Sequence, residues 1–163
     1  MNLGCEKMNE FMKIAKDLAD DNLKTNSGGP FGACIVKDGK IIGRGSNNVL
    51  LNNDPTAHAE IMAIRDVCKN INSYDLSECV IYTTCYPCPM CLSAIMWSNI
   101  NKIYYGNTKE DAENIGFRDK FIYDTISKLN NNEETNLKLE CIDRNETIKT
   151  FNEYMMKDDK TIY

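Results

Sequence analysis

One histidine, one tryptophan and four prolines are all that the 163 residues contain of those types, and positive charge is in the minority. The scarcity of histidine is the most restrictive, because with His58 alone a structural zinc site of the His₂Cys₂ kind cannot form. The 19 Lys and Arg residues against 24 Asp and Glu leave a net charge of -5. That balance opposes the broad phosphate-binding surface that dominates nucleic-acid affinity, so a small-molecule partner is expected and a nucleic-acid partner is not.

An apolar export core is also missing. Met1 to Lys7 is largely polar, which deprives the Leu3-Gly4-Cys5 string of a lipidation context and makes a cytoplasmic location the expectation. Charge is absent from residues 79 to 101, a run long enough to raise the question of a membrane span. Pro87, Pro89 and several Ser, Thr and Asn residues interrupt it, so strand, loop and buried helix are expected there and a membrane partner is not. The eight cysteines then read as reduced thiols or metal ligands and not as a disulfide framework.

What is present suffices for one compact domain over residues 1–163, with 42% hydrophobic residues to build a core. Apolar Phe11, Met12, Ile14, Ala15, Leu18 and Ala19 recur at helical spacing, which predicts an amphipathic helix between Met8 and Leu23. Ala33 to Val36, the turn Lys37-Asp38-Gly39-Lys40 and Ile41 to Gly43 predict a β-hairpin. Helix after Pro55, strand over Cys79–Thr83, helix from Pro89 and strand over Ile103–Gly106 follow. Helix over Lys109–Leu129, strand over Leu137–Ile142 and helix over Thr147–Met156 complete the reading, with Asn130 to Glu134 as a solvated loop. A hairpin followed by alternating helix and strand predicts an α/β fold with a mixed sheet covered on both faces.

The chemistry concentrates in two short segments. His58-Ala59-Glu60 near the start of one helix and Pro87-Cys88-Pro89-Met90-Cys91 at the start of another match the zinc deaminase signature H-x-E with P-C-x-x-C. His58, Cys88 and Cys91 would hold one Zn²⁺ per chain and leave its fourth tetrahedral position to water, the mark of a catalytic site. Cys88 and Cys91 are three apart at a helix N-terminus, where the macrodipole favours thiolates. His58 and Glu60 are two apart and do not share a face in mid-helix, so both can serve one metal only off the helix's first turn. Glu60 is then the proton carrier, taking a proton from water and returning it to a leaving nitrogen. Cys85 repeats the C-x-x-C spacing with Cys88, and its alternative readings are a free thiol at a strand end or a fourth ligand in a non-enzymatic, zinc-stabilised domain.

With these residues in hand, the chain resembles the cytidine deaminase-like superfamily, and within it most closely the bacterial guanine deaminases. Asp54-Pro55-Thr56-Ala57-His58-Ala59-Glu60-Ile61 carries the superfamily likeness, which tRNA adenosine deaminases share. Gly28-Gly29-Pro30-Phe31-Gly32-Ala33, Asn47-Asn48-Val49, Ile115-Gly116-Phe117-Arg118-Asp119 and Tyr163 carry the narrower one. The resemblance implies a three-layer α/β/α sandwich on a five-stranded mixed sheet. It also implies hydrolysis of guanine to xanthine and ammonia by attack at C2, within purine catabolism or salvage. A homodimer follows from it too, with the C-terminal segment, about 143–163, exchanged between copies.

By position, the resemblance makes Asn47 a hydrogen-bonding partner of the purine, Phe31 its stacking partner, Ala59 a further substrate contact and Asp119 an assistant in proton transfer. It makes Tyr163 a cap supplied by the other copy. From the residues alone, Phe31 is equally a core aromatic, Asn47 a turn cap, Asp119 a solvated acid and Tyr163 a frayed terminus. One departure is visible: Tyr86 stands where these deaminases commonly carry Glu. Deamination of another base, such as cytosine, a triazine or adenosine in tRNA, is the alternative activity.

Overall fold

The computed structural model describes residues 8–163, so the Leu3-Gly4-Cys5 reading lies outside them. Contacts divide the chain into two compact units, residues 1–124 and 125–163.

In the first unit, α1 (Glu10–Thr25) starts at Asn9, whose side chain accepts hydrogen bonds from the backbone N–H groups of Phe11 and Met12. The hairpin follows as β1 (Gly32–Lys37) and β2 (Lys40–Ser46), paired antiparallel. Asp38 and Gly39 both have positive φ, 49° and 70°, as a tight two-residue hairpin turn requires. After α2 (Val49–Asn52) and α3 (Ala59–Ile71), β3 (Val80–Cys85) pairs antiparallel with β1. Then come α4 (Pro89–Trp97) and β4 (Ile103–Asn107), which pairs parallel with β3. The sheet is mixed, in the order β2-β1-β3-β4.

Strand alternation assigns the two faces. Ala33, Ile35 and Ile81 pack with Ala59, Ala63 and Val67 of α3 and with Ile95 of α4. On the opposite face the Cys34 thiol donates to the Phe11 carbonyl at 3.4 Å, and the Phe11 and Tyr82 rings lie 5.2 Å apart. Helices therefore cover both faces, α1 on one and α3 with α4 on the other, which is the α/β/α layering expected. Each fully buried Ile or Val contributes about 1.5–3 kcal/mol, so this central core is what anchors α3 and α4.

Two expectations are corrected. The helix predicted over Lys109–Leu129 is broken into α5 (Lys109–Asn114) and α6 (Asp119–Asn130). Gly116 interrupts it at φ 96°, a backbone state that a helix cannot continue through. The sheet has four strands among the described residues and not five, and Leu137–Ile142 forms no strand. Its apolar-polar alternation is strand-like, but a strand exists only where its backbone groups find a ladder, and these residues are exposed.

The second unit contains the rest of α6 and then α7 (Arg144–Met156), and none of its residues is buried. Among the described residues, no helix is long and apolar enough to cross a membrane.

Candidate metal centre and nucleobase cleft

The two signature segments meet at two helix N-termini. His58 is the N-cap of α3 and Cys88 the N-cap of α4, both with extended backbone and neither making a side-chain capping bond. N-caps are usually Ser, Asp, Asn or Thr, whose side chains bind the helix's free N–H groups. Here those side chains are left for another task. Pro89 occupies the first turn of α4, where its missing N–H costs nothing.

His58 Nδ1 lies 3.6 Å from the Cys88 Sγ and 3.6 Å from the Cys91 Sγ, and the three donor atoms are mutually within 4.8 Å. A tetrahedral ion with bonds of roughly 2.0–2.3 Å separates its nitrogen and sulfur ligands by about 3.6 Å, so the three atoms are already at ligand spacing. His58 is half-buried while Cys88 and Cys91 are buried. The Cys88 thiol is held well below its ordinary range, by a hydrogen bond from Cys91 first and by His58 as well, whereas the same sharing drives Cys91 up. His58 is raised, chiefly by its hydrogen bond to Cys88, with burial opposing. Two converging sulfurs beside an imidazole are donors that a soft metal ion takes up once they are deprotonated.

Glu60, in the first turn of α3, is 6% exposed. Its Oε1 accepts from the Thr83 hydroxyl at 2.8 Å, a buried bond from the α3-facing side of β3. Burial raises the Glu60 carboxyl above its usual range, partly offset by hydrogen bonds that include the Thr83 hydroxyl. A carboxyl so placed, beside the donor triad, is positioned for proton transfer.

A narrow cleft opens beside these groups. It is lined by His58, Glu60 and Cys88 and also by Phe31, Asn47 and Asp119. Asp119 begins α6; burial raises its carboxyl, the charge on Cys88 raises it further and His58 lowers it, which puts all three in one electrostatic neighbourhood. Ala59 is fully buried in the core at the head of α3 and is not part of the lining. Tyr163 belongs to the second unit, where its side chain is 75% exposed.

Several lining and supporting residues were not legible from spacing. Phe117 meets Phe31 edge-on, ring centroids 4.7 Å apart at 83°. Buried Asn22 of α1 donates to the carbonyls of Gly29 and Asn47, at 2.9 and 2.8 Å, and so ties together the loops that carry Phe31 and Asn47. A Cβ on Gly28 would overlap the Asn47 side-chain and main-chain oxygens, which is why glycine stands there. Cys85 ends β3 and lines the cleft, but its thiol donates to the Thr108 carbonyl at 3.4 Å and it is outside the donor triad. Burial pushes that thiol up to about 12, so it stays protonated. Tyr86 also lines the cleft and packs on Tyr105, with Lys109 5.1 Å above its ring. At this position the chain presents a cation–π face to Lys109.

The comparisons with known proteins agree with this geometry. Residues 5–107 match the cytidine and deoxycytidylate deaminase zinc-binding region. The chain is 52% identical to the guanine deaminase of Bacillus subtilis over 118 residues, 72% of this chain and 76% of that protein. The X-ray structure of the Bacillus subtilis guanine deaminase superposes with a TM-score of 0.87 at 42% identity, covering 96% of this chain and 99% of that one. A tRNA-specific adenosine deaminase of Haemophilus influenzae is 42% identical over 122 residues, 73% of this chain and 67% of that protein. A solved structure in complex with 2,6-diaminopurine matches with a TM-score of 0.63 at 32% identity, covering 66% of this chain and 60% of the other.

Proposed function

The chain belongs to the cytidine and deoxycytidylate deaminase family, and from that premise we propose that it hydrolyses guanine to xanthine and ammonia, as part of purine catabolism or salvage in the cytoplasm. The observation that carries the reading is a buried carboxyl, Glu60, set beside a His/Cys/Cys triad in a cleft that Phe31, Asn47 and Asp119 also line.

The ion the triad takes is zinc, since two thiolates and an imidazole suit a soft tetrahedral metal and suit magnesium or calcium poorly. When bound, zinc supplies the Lewis acidity that makes water a nucleophile at neutral pH. The remaining steps belong to the chain's own residues. Glu60 removes a proton from the attacking water and delivers it to the exocyclic nitrogen, so that one water is consumed and one ammonia leaves. Thr83 keeps the carboxyl in one orientation. The Asn47 side-chain oxygen already accepts from the Val49 N–H at 3.1 Å, which directs its NH₂ group to the acceptor atoms of a purine. Phe31, braced by Phe117, packs against the ring. Asp119 accepts from the amino group that leaves. A homodimer, with Tyr163 of one copy capping the other's cleft, supplies cover for the exposed apolar side chains of the second unit.

Similarity to tRNA adenosine deaminases favours a second reading, deamination of a base within RNA. The net charge of -5 opposes it, because a folded RNA is held by its phosphates. Incubating zinc-loaded protein separately with guanine, adenine, cytosine, guanosine and an adenosine-bearing RNA hairpin, with ammonia as readout, decides between them. Guanine alone is expected to react, and release from the hairpin alone would replace the first reading with the second.

A further inference from the structure

Asp119 reaches the cleft from the first residue of α6, a helix whose start follows the Gly116 break, so something outside the helix must fix its position. Tyr123 lies one turn further along, on the same face as Asp119. Its hydroxyl donates to the Pro87 carbonyl at 2.7 Å. Pro87 is fully buried and directly precedes the ligand Cys88, so the bond runs from the helix that carries Asp119 to the loop that carries the metal ligands.

The ring of Tyr123 is gripped as well. It meets Tyr86 edge-on at 6.1 Å, and the Lys109 ammonium lies 4.8 Å from its centroid and 5.1 Å from that of Tyr86. Tyr86 is in turn packed against Tyr105 at 5.1 Å. The neighbouring ring and the cation hold the Tyr123 ring in place, with its hydroxyl on the Pro87 carbonyl and close to Tyr86.

We propose that Tyr123 is a positioning residue for the deamination: its hydroxyl latches the first turn of α6 to the Pro87 carbonyl and so holds Asp119 at the metal-ligand loop. This rests on the proposed activity for the role of Asp119, while the latch itself is independent of substrate.

The test is Tyr123→Phe, which removes the hydroxyl and keeps the ring, alone and combined with Asp119→Asn. Amide hydrogen exchange over residues 122–124, whose N–H groups bond back into the first turn of α6, is expected to quicken by about five- to tenfold relative to β1, the usual consequence of losing one buried hydrogen bond. Zinc content stays at one per chain, kcat on guanine falls by a similar factor with KM little changed, and the loss vanishes in the Asp119→Asn background. Unchanged exchange at 122–124 would overturn the latch. An equal kcat loss in both backgrounds would overturn the claim that Tyr123 acts through Asp119. Exchange is read without substrate, so a wild-type protein that leaves guanine intact would sink the activity and still leave the latch decided.

Discussion

Residues 8–124 and residues 125–163 use apolar side chains in opposite ways. The first segment buries Ile35, Ile81 and Ile95 completely between sheet and helix. In the second, Leu139, Ile142, Phe151 and Met156 are all more than two-thirds exposed. The difference teaches where function is self-sufficient. His58, Cys88 and Glu60 stand at the ends of elements rooted in a core of their own, so substitutions among them alter chemistry before they alter folding. The second segment lacks such a core, and its apolar surface gains stability from cover that a second copy can supply.

The comparison can be broken first at the metal centre. His58→Ala or Cys91→Ala is expected to abolish zinc binding and ammonia release together, while far-ultraviolet circular dichroism keeps the α/β signature. Zinc retained at one per chain would refute the triad. Next in size, replacing Leu139 and Ile142 by Glu is expected to halve the mass seen in sedimentation velocity, because both side chains are among the most exposed apolar groups. A mass unmoved by the pair would count against the proposed homodimer through this surface, and a monomer mass for the unaltered chain would end that proposal.

A smaller effect is expected at Gly28→Ala. The added methyl overlaps both the Asn47 carboxamide and its backbone carbonyl, so the loop carrying Asn47 must shift and KM for guanine should rise by at least about tenfold, roughly the loss of one hydrogen bond. A KM equal to that of wild type would remove Asn47 from substrate recognition. The smallest effect sharpens the boundary of the metal site: Cys85→Ser is expected to keep one zinc per chain by elemental analysis, since its thiol serves Thr108. Loss of the metal would instead make Cys85 a ligand.

Much of this was legible in the sequence where the cause is local. The Asp38-Gly39 turn, the Pro89 helix start and the spacing of His58, Glu60, Cys88 and Cys91 all act over a few residues, and each is found in the structure at those positions. The Gly116 break is equally local, yet the sequence on either side of it reads as one helix, and only the positive φ at Gly116 separates the two. The strand expected at Leu137–Ile142 fails for a different reason. Alternation describes one strand, while the ladder that makes it a strand belongs to its neighbour. The Tyr123–Pro87 bond spans 36 positions, as the Asn22–Asn47 bond spans 25, and such bonds leave no periodic trace in a single chain. The roles of Asn47, Phe31 and Asp119 came from resemblance, and the cleft lining gives them a common location.

The central claim is that Glu60 moves protons in a zinc-dependent deamination of guanine. Its most direct test compares the unaltered chain with Glu60→Gln, each verified to hold one zinc, by following guanine and xanthine in the ultraviolet alongside ammonia. One xanthine and one ammonia per guanine are expected from the unaltered chain, and a rate lower by roughly 10²–10⁴-fold in the variant. Equal rates in the two proteins, or no xanthine from either, would contradict it.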